Sequence, residues 1–267
     1  LYARKVAVKL LRGLSDPRTA ERLAEERRIL AGLQHPNIAR LYDGGTTAAG
    51  LPYLVMEFVE GEPLDAWCGT HRPDLRQRLA LFVRTCRAVQ AAHAHLVVHC
   101  DLKPSNILVR GDGEPVLLDF GIARLMDEDG QGAGAMFCTP AYAAPETVAG
   151  RPVGVASDVF SLGVLLVELL ADRRIERGAD DSALPVVAPS QWAGADCRWR
   201  RRLRGDLDAI AARACALEPS RRYASVEALA NDVQRYLDHR AVGARQGSRL
   251  YRLGRGLRRH WQAAGGA

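Results

Sequence analysis

The chain has 267 residues, nearly half of them apolar, which is enough to bury one large core or two modest ones and excludes disorder as the default state. Its formal charge of +6 sits at one end: residues 239–267 hold seven arginines and no acid, which leaves −1 for residues 1–238 and gives no reason to expect a nucleic-acid-binding core. Six cysteines lie far apart without a Cys-x-x-Cys pair, so neither a zinc site nor a disulfide framework is signalled, and with no signal peptide visible a reducing cytoplasm is the expected location.

In chain order, residues 2–11 are rich in Val and Leu and predict a strand carrying Lys9. Ser15-Asp16-Pro17 then opens a helix, with Asp16 as N-cap and Pro17 at the first helical position. Leu23, Leu30 and Leu33 form its apolar stripe, and Glu26 lies on that stripe, where a carboxylate faces inward and needs a cation. After His35-Pro36-Asn37-Ile38 a strand is predicted near residues 38–42, then a glycine-rich turn (Gly44, Gly45, Gly50), then a strand over Tyr53-Leu54-Val55-Met56. Leu79, Phe82, Val83, Cys86 and Val89 keep helical spacing up to His93, and His93 and His95 read as ordinary helix-end residues.

The chemistry concentrates in His99-Cys100-Asp101-Leu102-Lys103-Pro104-Ser105-Asn106, a polar loop between the apolar runs 96–98 and 107–109. Asp101 can take a proton from a hydroxyl, Lys103 can neutralise a transferring phosphate, and Asn106 can offer an amide oxygen to a hard cation. Those are the parts of phosphoryl transfer, where positioning and charge neutralisation supply nearly all the catalysis. Asp119-Phe120-Gly121, thirteen residues past Asn106, adds a second carboxylate for the metal.

Farther along, the apolar run from Val159 to Ala171 is interrupted by Glu168 and too short to span a bilayer, so it predicts a buried helix that Asp158 opens as N-cap. Residues 173–204 have no clear period. Val226, Leu229, Ala230, Val233 and Leu237 predict a last helix, and Leu250, Leu253, Leu257 and Trp261 recur among arginines, a spacing open to either a basic amphipathic helix or a solvated tail.

Val6-Ala7-Val8-Lys9, the loop 99–106, Asp119-Phe120-Gly121 and Ala144-Pro145-Glu146 stand in the order and at the separations of the protein kinases. From about residue 1 to 238 the chain resembles the bacterial eukaryotic-like Ser/Thr kinases. The resemblance implies an α+β, bilobal fold: residues 1–59 as a partial small lobe with the hinge, 60–238 as a mainly helical large lobe, and 239–267 as a basic tail. It also implies a magnesium-ATP cleft with Asp101 as base, Lys103 beside it, Asn106 and Asp119 on the metal, and Lys9 paired with Glu26 on the phosphates. Met56 becomes the gatekeeper, Glu57, Phe58 and Val59 the hinge segment whose backbone meets adenine, and Ala7 and Leu108 join the ATP-binding residues. By the same resemblance His99 packs on Phe120, Thr139 braces Asp101 and Lys103, Glu146 pairs with Arg222, and Asp158 bonds the catalytic loop from beneath.

Several features depart from that pattern. No Gly-x-Gly-x-x-Gly precedes Lys9, so the small lobe is expected to be truncated or the sequence to be a fragment of a longer parent, with weakened nucleotide binding. Cys100 replaces an arginine that clamps an activation-segment phosphate, Cys138 replaces a glycine, and residues 122–138 hold no Ser, Thr or Tyr; the two absences together predict activity that needs no activation-segment phosphate. The segment 173–204 is also shorter than a full substrate-docking helix requires. Only Lys5, Lys9 and Lys103 are lysines in a chain that otherwise uses arginine, and two of them fall where a compact, mobile charge is wanted.

The resulting expectation is an ATP- and Mg-dependent protein Ser/Thr kinase acting on protein hydroxyls, Ser/Thr rather than Tyr because Lys103 follows Asp101 by two. No nucleic-acid partner is expected; contact with a membrane surface through the basic tail is kept open. Two other readings remain: a non-catalytic pseudokinase that binds or scaffolds, and an aminoglycoside-type small-molecule phosphotransferase, which Lys103 and Ala144-Pro145-Glu146 argue against.

Overall fold

In a computed structural model, residues 4–11, 32–120, 139–176 and 186–245 are described. The smaller lobe is built on an antiparallel sheet of order β1-β3-β2, with β1 Val6–Leu10, β2 Leu41–Thr46 and β3 Pro52–Glu57. β-branched and aromatic residues favour this pleated surface. The register sets Lys9 opposite Leu54 and Ala7 opposite Met56. Gly44 and Gly45 belong to β2 rather than to a turn, because a bulge between Leu41 and Asp43 lets the strand run on to Thr46; the reversal falls at residues 47–50, where Gly50 takes φ +79°.

A second sheet, order β4-β5-β6, joins the lobes (β4 Glu62–Pro63, β5 Ile107–Val109, β6 Pro115–Leu117). Ile38 forms a parallel bridge to Leu117, and the Asn37 amide donates to the Pro115 carbonyl at 2.7 Å. The chain leaving the smaller lobe is thereby tied to the segment that carries Asp119.

The larger lobe is helical: α1 Leu64–His71, α2 Leu75–Ala94, α3 Pro145–Val148, α4 Val155–Ala171, α5 Pro189–Trp192, α6 Arg200–Leu203, α7 Asp206–Ala214 and α8 Val226–Leu237. Helix α2 starts at a capping box in which the Asp74 carboxylate accepts from the Gln77 N–H and the Gln77 amide from the Asp74 N–H. Helix α4 is buried on every side from Ser157 to Ala171, so it serves as the column on which α2, α7 and α8 pack. It begins at Val155 with Gly154 at the N-cap, so Asp158 lies in the first turn and its carboxylate is left for other donors. No described helix is long and apolar enough to cross a membrane. The expected helix carrying Glu26, the segment 121–138 and the residues after 245 lie outside the described residues.

Candidate active site

The loop that joins α2 to β5 is held by buried hydrogen bonds. Asp158, without solvent exposure, accepts from the His99 N–H at 2.8 Å and the Cys100 N–H at 3.0 Å. Its Oδ2 also meets His93 Nε2 at 2.7 Å. His93 therefore does more than end a helix; sequence periodicity placed it there, but its partner lies sixty-five residues away and left no local trace.

His99 is buried against the loop it stiffens. Its Nε2 faces the Leu118 carbonyl at 2.9 Å, which can only accept, so Nε2 carries the proton and Nδ1 receives the Asp101 N–H at 3.3 Å. Burial pushes its pKa down against the pull of Asp158, which keeps the ring neutral and unsuited to act as a base. The ring packs on Phe120 at 4.7 Å between centroids. Cys100 and Asp119 both sit at left-handed φ, +67° and +60°, a backbone state that costs a non-glycine residue about 1 kcal/mol or more and is held here by the surrounding bonds.

On this frame the polar side chains converge. Lys103 Nζ lies 2.6 Å from Asp101 Oδ2 and donates to Thr139 Oγ1 at 2.8 Å. The Thr139 hydroxyl donates in turn to Asp101 Oδ1 at 3.1 Å. Asn106 spends its amide nitrogen on Asp101, donating to the backbone carbonyl at 2.8 Å and to Oδ2 at 3.0 Å, so the Asn106 group left over is an oxygen. The Asn106 backbone carbonyl accepts from the N–H of Leu118, the residue before Asp119. From the smaller lobe, Lys9 Nζ reaches Asp119 Oδ2 at 2.9 Å. Acid 101 and amide 106 thus form one polar cluster and amine 9 and acid 119 a second, and the Leu118–Asn106 backbone bond joins the segments that carry them into the candidate site.

The remaining expected positions lie around it. Met56 lines a cavity of about 30 Å³ with Leu54, Ile38, Asp119 and Phe120. The Glu57 side chain is taken by Arg110 at 2.8 Å. Val59 is buried, and the backbone groups of Phe58 and Val59 meet no hydrogen-bond partner among the described residues. Ala7 sits opposite Met56, and Leu108 opposite Pro63 at the lobe junction. Glu26 lies outside the described residues.

Beneath the cleft, Arg222 grips Glu146 with two bonds of 2.6 and 2.8 Å, and Ser157 donates to the same carboxylate at 2.8 Å. Burial pushes the Glu146 carboxyl up, but the Arg222 and Ser157 hydrogen bonds outweigh it and hold the group below the usual carboxylate range.

Residues 2–233 match the protein kinase domain. The chain belongs to that family. It is 42% identical over 192 residues to the serine/threonine-protein kinase PknA of Mycobacterium tuberculosis, covering 69% of this chain and 44% of that protein. It is 37% identical over 259 residues to the serine/threonine-protein kinase Pkn1 of Myxococcus xanthus, 91% of this chain and 36% of the other. A probable serine/threonine-protein kinase of Streptomyces coelicolor matches at 33% over 250 residues, 90% of this chain and 37% of its own length. The chain therefore spans less than half of the length of each of these bacterial relatives, and it is α+β with a small sheet-bearing lobe and a helical one, as that family is.

Proposed function

We propose that this chain acts as the catalytic domain of an ATP- and Mg-dependent serine/threonine protein kinase. The observation that carries the proposal is the Asp101 carboxylate with its three neighbours: Lys103 and Asn106 on one oxygen, Thr139 on the other. Held from both sides, Asp101 is oriented to accept the proton of a Ser or Thr hydroxyl, and Lys103, 2.6 Å away, supplies positive charge where a phosphoryl group would pass.

The donor set fits magnesium. Asn106 and Asp119 offer oxygen only, and among the described residues no three His, Cys, Asp or Glu gather into a cage, which suits an ion that takes one or two protein ligands and completes its shell with phosphate and water. When bound, the cation neutralises phosphate charge. Lys9 is the residue proposed to hold the nucleotide phosphates, with Glu26 as its partner, and the backbone at Glu57, Phe58 and Val59 is proposed to meet adenine, with Met56, Ala7 and Leu108 around it.

In the same reading residues 1–59 serve as partial small lobe and hinge, 60–238 as large lobe and 239–267 as tail. Transfer of labelled γ-phosphate from Mg-ATP to a generic protein substrate, with Asp101→Asn as control, is the test. Loss of about 10² to 10⁴ in kcat with nucleotide affinity kept is expected for that variant. Nucleotide binding without any transfer by the native chain would make it a binding module instead, and transfer to an aminoglycoside but not to protein would assign a small-molecule phosphotransferase.

A further inference from the structure

Residues 198–204 read Arg-Trp-Arg-Arg-Arg-Leu-Arg, five cations in seven positions. The segment is anchored from within: Trp199 is buried and donates through Nε1 to the Leu170 carbonyl at 2.8 Å, and Leu203 is fully buried. Arg200 Nε donates to the Ser190 carbonyl at 3.1 Å. With the backbone fixed, Arg198, Arg200, Arg201, Arg202 and Arg204 line a recess of about 640 Å³, with Trp199 at its wall. None of the five forms an ion pair with another described residue, and no described carboxylate lines the recess.

The acids that follow in sequence are committed elsewhere. Asp206 is buried and pairs with Arg245 at 3.1 Å, and Asp208 accepts from the Ser190 N–H and hydroxyl. Five like charges at close quarters repel one another, and an anionic occupant relieves that repulsion. Guanidinium forks match carboxylates two bonds at a time. A concave site admits a protruding chain, whereas a lipid surface presents a flat face. A nucleic-acid platform needs an exposed ring to stack bases, and Trp199 is buried with its N–H spent.

We infer that this recess docks an acidic segment, clustered Asp and Glu, of the protein substrate. The inference rests on the kinase reading above and names the class of substrate for it. Leu170 marks the far end of α4 from Asp158, about 18 Å away at the helical rise of ~1.5 Å per residue. Since Asp158 holds the catalytic loop, the span along α4 corresponds to about six extended residues of a bound substrate. Helix α6 and the residues flanking it thus offer charge for docking.

The experiment uses a labelled peptide with a serine acceptor and, eight residues away, a block of four glutamates, beside the same peptide with glutamines. Fluorescence anisotropy requires no catalysis. The native chain is expected to bind the glutamate peptide at least about tenfold more tightly than the glutamine peptide and than does Arg201→Glu/Arg202→Glu/Arg204→Glu, with the preference fading as salt is raised. A variant with Arg249, Arg252, Arg255, Arg258 and Arg259 changed to Ala keeps the preference. In phosphate transfer the glutamate block lowers KM for the native chain, and the triple variant retains native kcat/KM on the glutamine peptide and a native melting curve.

Equal binding of both peptides, unchanged preference in the triple variant, loss that follows the tail variant alone, or binding only to phosphatidylserine vesicles would each overturn the inference. Preferential binding with no phosphate transfer to either peptide would leave the dock standing and remove the kinase reading.

Discussion

Asp158→Asn isolates what holds the catalytic loop, because it keeps shape and volume while replacing one oxygen by an N–H donor. The native carboxylate has no solvent exposure and receives three donors, from the His99 and Cys100 backbone and from His93 Nε2. His93 can adapt: its Nδ1 is buried with no partner among the described residues, so moving the ring proton from Nε2 to Nδ1 makes Nε2 an acceptor for the new amide. The His99 N–H cannot adapt and faces a donor. An orphaned buried N–H costs about 1–3 kcal/mol, and demoting the Cys100 bond from charged to neutral costs about 1 more, so about 2–4 kcal/mol in all. Cys100, strained at φ +67°, is the residue expected to move first, carrying Asp101 with it. Urea unfolding should show the midpoint lowered with unchanged slope, and phosphate transfer should fall at least about tenfold in kcat with smaller change in KM. A variant within about 0.5 kcal/mol of native with full kcat would refute the claim that this carboxylate sets the loop.

Cys100→Gly, which accepts a left-handed backbone freely, should be tolerated within about 1 kcal/mol, whereas Cys100→Val, β-branched at the same φ, should lose more than about 1 kcal/mol in the same urea series. Arg222→Ala strands the buried Glu146 carboxylate and should cost about 3–5 kcal/mol by thermal or chemical unfolding. Because the folded Glu146 carboxyl is held low, its contribution is present above the ordinary glutamate range and is lost as pH falls through that range toward the folded value; Glu146→Gln should flatten this part of the acid-unfolding profile. Phosphopeptide mapping of active protein should find full turnover without stoichiometric phosphate on the activation segment, since residues 122–138 hold no acceptor hydroxyl and Cys100 stands where a phosphate-binding arginine would.

Much of this architecture was legible along the chain. The buried α4 announced itself by a long apolar run interrupted only at Ser161 and Glu168, α2 by its spacing, and the loop 99–106 by polar chemistry set between apolar flanks. Signals of that kind are local, because a helix or strand must bury one face whatever surrounds it. Other readings failed at the same scale. Gly44 and Gly45 resemble a turn until a bulge and a partner strand claim them, and Asp158 resembles a cap until the helix starts three residues earlier.

By itself the sequence determined the family, the order of its chemical groups and which residues must be buried, since these follow from residue type and spacing. The Glu146 pairing with Arg222 was already expected from the family resemblance, and the structure bears it out. Only the folded chain brought Lys9 to Asp119 and His93 to Asp158, because sheet register and helix packing set them within 3 Å. The same holds for the arginines at 198–204, which count as ordinary surface charge until Trp199 and Leu203 fix their backbone and the neighbouring acids turn elsewhere. Charge is additive along a sequence, but its energy depends on distance and burial, and those exist only in three dimensions.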